Sequence, residues 1–479
     1  MADLVLFWHR RDLRLGDNVG LTAARDRTPR VAGVFCLDPG ILRGGDVAPA
    51  RVAYMIGCLE ALRDHYARAG GQLLILQGDP REKIPALAQA IGADALYWNR
   101  DVEPYSRQRD TDVVEALKAA GLEFRTTFWD QLLHGPGDVR TGAGEPYTVY
   151  TPFWRNWIKL SKAEPLPTPA GLQPLSEQQL EAAKQAGCIE LPSAADLGFH
   201  WENGFSVEPG EQAALERLEA FCDGNPALTT YDEQRNFPFV DGTSRLSAAL
   251  KFGAVGIRTV WAAADTVYGR SRSDETRDNV KTWQQELAWR EFYQHVMYFF
   301  PALADGPYRT PLKDFPWNDN DEHFAAWCEG RTGYPIVDAA MRQLNEMGWM
   351  HNRCRMIVAS FLTKDLIINW QRGEAYFMQH LVDGDLSSNN GGWQWSASSG
   401  MDPKPLRIFN PASQAQKFDA EAEYIRQWVP ELRSVETEAL VTGRILEGDR
   451  GGYPAPIVDH KTQQALFKAK YLAQRAMVS

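Results

Sequence analysis

The sequence is poor in cysteine: its 479 residues include six, Cys36, Cys58, Cys188, Cys222, Cys328 and Cys354. No two form a CxxC pair and their spacing matches no zinc pattern, so neither a metal site nor a disulfide framework is expected. Free thiols fit a reducing, cytoplasmic setting. No window approaches the ~18 consecutive apolar residues that a membrane span needs. The opening stretch, MADLVLFWHRRDLRL, has only a short apolar run before two arginines, which argues against a secretory signal. Also lacking are GxGxxG and GxxxxGK[ST], the phosphate-cradling loops of dinucleotide and nucleoside triphosphate sites. Basic residues are not in excess, and the formal net charge of -11 taken alone argues against a nucleic-acid partner.

What is present is an ordinary globular composition, 44% hydrophobic and 24% charged, in a chain long enough for two or three domains. The charge is uneven. Between residues 342 and 372, five basic residues (Arg342, Arg353, Arg355, Lys364, Arg372) face two acidic ones (Glu346, Asp365), a local balance of +3. Of sixteen tryptophans, ten lie from Trp261 onward, although packing explains any single one. Short apolar runs at 4–9, 31–37, 73–77, 95–99 and 124–129 alternate with helical patterns near 18–25, 50–69, 80–91 and 107–120. Such alternation predicts a parallel sheet in a doubly wound domain. A Pro-rich stretch follows, and from about residue 208 the pattern is helical. The expected fold is an α/β doubly wound parallel-sheet domain (1–135), a connector (136–207) and a larger all-α domain (208–479). The turn His9-Arg10-Arg11-Asp12 would lie at the carboxyl end of the first strand, where such domains bind polar ligands.

Four segments of the helical half carry chemistry. Tyr231 and the run Gly242-Thr243-Ser244-Arg245-Leu246-Ser247 offer hydroxyls and free N–H groups suited to phosphate, although a Thr/Ser loop serves equally as a helix N-cap. In WQQELAWREFY, Glu286, Trp289, Arg290 and Tyr293 share one helical face, a mixture that suits stacking a planar ligand and bonding its edge. In GWMHNRCRM, Asn352, Arg355 and Met356 share a face, and Asn352 can read a base edge through its donor and its acceptor. Arg353 points elsewhere, where it could meet a phosphate. His351 and Cys354 lack the further ligands a metal needs. In DGDLSSNNGGWQW, two acids, three amides, three glycines and two tryptophans fall within thirteen residues. The carboxylates suit acid/base work or acceptance of bonds from ring N–H groups and arginine.

Together FWHRRDLRLGDN, WQQELAWREFY, RTGYPIVDAAMRQL, GWMHNRCRM, DGDLSSNNGGWQWSASSGMDPKPLRIFNP and GYPAPIVDH resemble, in order and over essentially the whole chain, the photolyase/cryptochrome family. The resemblance is strongest to class I bacterial photolyases with a deazaflavin antenna. It implies non-covalent FAD, bent into a U, within the helical domain. By motif, Tyr231 and Thr243, Ser244, Arg245, Leu246 and Ser247 would hold the FAD phosphates. Glu286 and Arg290 would lie beside cofactor and cavity, with Asn352 between the two. Arg355 would pair with Asp383, while Asp383, Gly384 and Asp385 would contact flavin and ribose, and Asn389 would face flavin N5. Trp393, Trp370 and Trp317 match the family's electron-transfer tryptophans.

The implied reaction is repair of cyclobutane pyrimidine dimers. Light-excited reduced FAD gives one electron to a flipped-out dimer, the ring splits and the electron returns. Glu286 and Asn352 would bond the pyrimidines, Trp289 and Trp395 would wall the pocket, and Met356 would pack against it. Arg235, Tyr293, Arg353, Gln414 and Lys417 would join them in binding DNA. Arg11, Arg51, Asp101, Glu103 and Lys251 match the deazaflavin-type antenna pattern, with methenyltetrahydrofolate the other option. DNA containing dimers is the expected partner of a cytoplasmic monomer without a membrane or an obligate protein partner. Two rivals stand. A cryptochrome-like photoreceptor without repair activity is opposed by the amide at Asn389, which suits repair, and by the Glu286/Asn352/Met356 pocket. A nucleotide-binding enzyme using the first domain is opposed by the missing phosphate motifs.

Overall fold

A computed structural model of the chain describes residues 3–223, 228–309, 312–401 and 406–478; the Asp402 to Pro405 part of the longest motif lies outside them. Five parallel strands build the first domain: β1 (Val5–His9), β2 (Val31–Leu37), β3 (Leu73–Gln77), β4 (Ala95–Asn99) and β5 (Glu123–Phe128). Between them run α1 (Val19–Arg27), α2 (Pro49–Arg68), α3 (Pro80–Ala90) and α4 (Pro104–Ala119). β1, β2 and β4 are buried at every position, because helices cover both faces of the sheet. The edge strand β5 instead alternates in exposure. Helix α4 starts three residues before the periodicity suggests, since Pro104 occupies its first turn without losing a needed hydrogen bond.

The connector is more structured than its composition implies. It holds α5 (Tyr150–Trp157), α6 (Glu177–Gln185), opened by a Ser176/Gln179 capping box, and a short strand β6 (Cys188–Ile189) that pairs antiparallel with β3. Two residues of strand carry no period, so only tertiary pairing reveals β6. The sheet order is β5-β4-β1-β2-β3-β6. The chain turns back between β1 and β4, and the carboxyl ends of those strands therefore flank the crevice where α/β sheets bind ligands.

The helical half includes α7 (Ser247–Phe252), α8 (Ile257–Arg270), α9 (Asp274–Phe299), α10 (Asn352–Ser360), α11 (Trp370–His380), α12 (Leu386–Ala397), α13 (Pro411–Phe418) and α14 (His460–Val478). One apolar core runs from Phe7 and Phe35 of the sheet through Tyr54 and Leu59 of α2 to Trp283 and Leu287 of α9. The two domains therefore share a core rather than touching at a polar surface. No helix among the described residues is long and apolar enough to cross a membrane.

Candidate functional site

Helix α9 forms the first wall. Glu286 accepts from Arg235 Nη1 at 2.6 Å, and Arg235 also lies 3.3 Å from Asp232. Burial pushes the Glu286 carboxyl up while Arg235 pulls it down. The side chain is nevertheless 38% exposed, as expected of a group surrounded by protein but open toward a cleft. Trp289 stacks on Tyr150 of α5, with ring centroids 3.6 Å apart and planes within 8°. Arg290 turns away from Glu286. It donates to Gln131 O at 2.8 Å and Leu250 O at 3.3 Å, in the seam between the domains, and burial lowers its pKa to about 10.

Helix α10 forms the second wall. His351 caps it by accepting from Arg353 N at 3.1 Å, and no His/Cys/Asp/Glu group able to hold a metal occurs among the described residues. Asn352 is exposed, its amide 3.8 Å from Met356 Sδ. Arg353 donates to Asn236 Oδ1 at 2.5 Å and lies 4.4 Å over Phe418, beside Gln414 and Lys417 on α13. Arg355 bonds Asp383 at 2.8 Å.

The third wall is the 381–385 loop and α12. Asp385 caps α12, accepting from Ser388 N at 2.9 Å, and its other oxygen pairs with Arg11. Asp383 Oδ1, Ser387 Oγ and Trp393 Nε1 are buried without a partner among the described residues. Buried polar atoms in native structures are almost always satisfied, so these await a ligand or water. Asn389 donates to Glu374 O at 3.1 Å, and Asn390 donates to Glu374 Oε1 at 2.9 Å. Burial pushes Glu374 up to about 7. A Cβ at Gly391 would come within 2.2 Å of the Tyr293 ring, so glycine is what lets α12 approach α9. A cleft remains between them, lined by Trp289, Tyr293, Ser387, Gln394 and Trp395 among others.

Tyr231 is buried, with the Arg235 guanidinium 5.7 Å from its ring centroid. Arg217 holds the carbonyls of Thr243 at 2.6 Å and Ser244 at 2.9 Å. Arg245 has φ +54°, a left-handed conformation that persists in a non-glycine residue only where the surroundings impose it. Leu246 is buried and Ser247 opens α7, exposed. Trp393 and Trp370 are fully buried, whereas Trp317 is partly exposed against Phe315, at 4.4 Å.

A second polar cluster fills the switch-point crevice. Arg11 donates to Glu103 at 2.6 Å, lies 3.5 Å from Asp101 and pairs with Asp385. Lys251 Nζ sits 3.7 Å from Glu103. Burial pushes Asp385 up, but Arg11, Lys251 and Arg290 outweigh it and hold the carboxyl well below the usual range. Arg51 departs from this group. Its guanidinium reaches Leu381 O at 3.4 Å and Asp46 O, beneath the loop that carries Gly384. Asp385 and Arg51 thus stand between the two clusters rather than within one.

Sequence reasoning missed four residues here: Tyr150, Glu374, Asn390 and Arg407, the last 5.6 Å over Trp395. Asn390 and Arg407 lie inside motifs already singled out. Nothing local marks Tyr150 or Glu374, because their partners are remote in sequence.

Comparison with known proteins bears on the whole chain. Residues 283–473 match the FAD binding domain of DNA photolyase, and residues 5–170 match the DNA photolyase family. A deoxyribodipyrimidine photo-lyase of Synechococcus sp. is 60% identical over 479 residues, covering 100% of this chain and 98% of that one. Among solved structures, a class III photolyase of Agrobacterium tumefaciens superposes with a TM-score of 0.89 at 35% identity, over 99% of this chain and 98% of its own. A Synechocystis cryptochrome superposes at 0.88 and 28% identity, over 98% and 99%. Motifs, fold and end-to-end similarity agree: this chain belongs to the DNA photolyase family.

Proposed function

We propose that this protein is a light-driven DNA-repair enzyme that splits cyclobutane pyrimidine dimers. The reading is carried by one observation: Trp289, Trp395 and the unpartnered Ser387 hydroxyl line one cleft, in a chain so similar to a deoxyribodipyrimidine photo-lyase.

The residues present fit FAD. Tyr231 and the run Thr243, Ser244, Arg245, Leu246 and Ser247 would hold its phosphates, the run being pinned by Arg217 through the carbonyls of Thr243 and Ser244. The Arg355–Asp383 pair leaves Oδ1 for a ring N–H. When bound, reduced FAD supplies the photoexcited electron that opens the cyclobutane ring.

The protein's own groups receive and hold the lesion. Glu286 and Asn352 bond the pyrimidine edges, Trp289, Trp395 and Met356 exclude water, and Arg353, Gln414 and Lys417 meet the strand. Photolyases are themselves a standard instance of base extrusion, which costs a few kcal/mol and least for damaged pairs. Trp393, Trp370 and Trp317 lead outward from the buried core as an electron route.

The crevice between β1 and β4 would take a light-harvesting antenna held by Arg11, Asp101, Glu103 and Lys251, with Arg51 below. The favoured ligand is 8-hydroxy-5-deazaflavin; methenyltetrahydrofolate would absorb at shorter wavelength, so one absorption spectrum of the holoprotein separates them. The enzyme would act as a cytoplasmic monomer, with domains at 1–135, 136–207 and 208–479. The decisive experiment is blue-light reversal of a single thymine dimer in a defined oligonucleotide, against a dark control. Restored thymines in the light alone are expected. Intact dimers after illumination, with the flavin still reduced, would leave the photoreceptor reading.

A further inference from the structure

Connector helix α5 meets helix α9 at both of its ends. At the first, the Tyr150 ring lies face to face on Trp289, with centroids 3.6 Å apart and planes within 8°. The Tyr150 hydroxyl donates to Gln285 O at 2.9 Å. In an α-helix that carbonyl also pairs with the N–H four residues on, which is that of Trp289. Tyr150 therefore holds one turn of α9 at two points, a backbone carbonyl and a side chain. At the far end Trp157 Nε1 donates to Glu291 Oε1 at 2.6 Å, and Lys162 Nζ sits 3.8 Å over the Trp157 ring. Glu291 also accepts from Leu133 N at 2.7 Å and His134 N at 3.0 Å. One buried carboxylate thus ties α5 to the segment that leaves the first domain.

Free rings do not choose such a stack. Aromatic pairs prefer offset or edge-on arrangements with centroids ~4.5–7 Å apart. Phe292 follows that preference, meeting Tyr150 edge-on at 5.9 Å and Trp289 edge-on at 5.7 Å. The closer, nearly parallel pair is imposed by its surroundings, here by the anchoring of α5 at both ends. Burial differs across the pair. Tyr150 is buried and lies outside the cleft lining, whereas Trp289 is partly exposed and lines the cleft. Tyr150 covers one face of Trp289 and leaves the remainder to the cleft. A ring fixed in this way loses its rotamer freedom when the chain folds, not when a ligand binds.

We propose that Tyr150 is a positioning residue for lesion recognition: it sets the plane of Trp289, so that the wall against which a flipped dimer packs is formed before DNA arrives. The inference rests on the repair reading and deepens it, because it brings the connector, which carries none of the sequence motifs of the site, into recognition of the lesion. Tyr150 itself does not touch the dimer. It acts through Trp289 alone.

The test measures dark binding of the holoenzyme to duplex oligonucleotides with and without one thymine dimer. Tyr150→Ala is expected to weaken binding of the dimer-containing duplex about tenfold, within the range of one lost aromatic stack, and of the undamaged duplex less than about twofold. Tyr150→Phe keeps the ring and is expected to stay within about threefold of wild type. Trp289→Ala supplies the other arm of a double-mutant cycle, in which adding Tyr150→Ala is expected to cost less than about twofold more. Bound flavin, read by absorbance, reports that each variant is folded. Losses that multiply in the double variant, equal losses on the two duplexes, or a Tyr150→Phe variant as weak as Tyr150→Ala overturn the positioning role. Wild-type affinity in Trp289→Ala would remove the wall itself, and the positioning role with it. Illumination of wild-type complexes keeps the two claims apart: unrepaired dimers sink the repair reading, whereas repair together with multiplying losses sinks the positioning role alone.

Discussion

Glu286 illustrates how a single residue is set for its task. Its carboxylate is bonded to Arg235 on one side and partly exposed on the other. A hydrogen bond to a charged group is worth roughly 1.5–3 kcal/mol, so Glu286→Ala should reduce light-driven repair at least ~10-fold. Flavin content should change far less, because Glu286 belongs neither to the 243–247 run nor to the Arg355–Asp383 pair proposed to hold FAD. Comparing repair rate with flavin absorbance checks both halves of that expectation. Arg353→Ala should weaken damaged and undamaged DNA alike and lower the salt slope of binding by about one. An unchanged slope would remove Arg353 from the phosphate contacts. At this scale the residue types of the site were legible, since mixed acid, amide, arginine and tryptophan on one helical face is a poor design for packing. The pairings were less legible. Glu286 and Arg290 sit one turn apart, yet the first joins Arg235 and the second the interdomain seam.

Between elements, glycine decides the closest approaches. A Cβ at Gly373, inside α11, would lie 2.1 Å from the Trp393 ring and 2.6 Å from Leu362, while at Gly269, on the exposed face of α8, it would meet nothing within 4 Å. The same substitution should therefore act in opposite directions. Gly269→Ala should stabilise by up to ~1 kcal/mol through helix propensity. Gly373→Ala should destabilise by about 1–3 kcal/mol through overpacking. Chemical denaturation of the pair measures the sign directly. Periodicity located α2, α3 and the parallel strands to within a few residues, because burial on a helix or strand imposes a regular pattern. It could not find the stack of Tyr150 on Trp289, in which a connector helix braces a wall of the cleft.

Over the whole molecule, the two domains are joined by a buried ionic network. Arg14 and Arg258 share the two oxygens of Asp130, each at 2.8 Å, and Arg258 also bonds Asp17 at 2.6 Å. All four side chains are buried. Breaking such a network from one side strands charges in the interior. Arg258→Ala should cost about 3–5 kcal/mol. It should also lower the thermal midpoint of the whole protein rather than melt one domain early, because the apolar core spans both. A scan that resolves two separate transitions would contradict that.

From its residues alone this sequence determined an α/β half, a helical half and a set of motifs sufficient to name the family, because hydrophobic period and motif spacing are local and survive in one dimension. Tertiary structure alone decided that Arg11 of the first domain pairs with Asp385 of the 381–385 loop, that Arg51 lies beneath Gly384, and that Arg353 is bonded to Asn236. Those contacts join residues as many as 374 positions apart. Only folding, which trades chain entropy for burial, brings such groups within a few ångströms of one another.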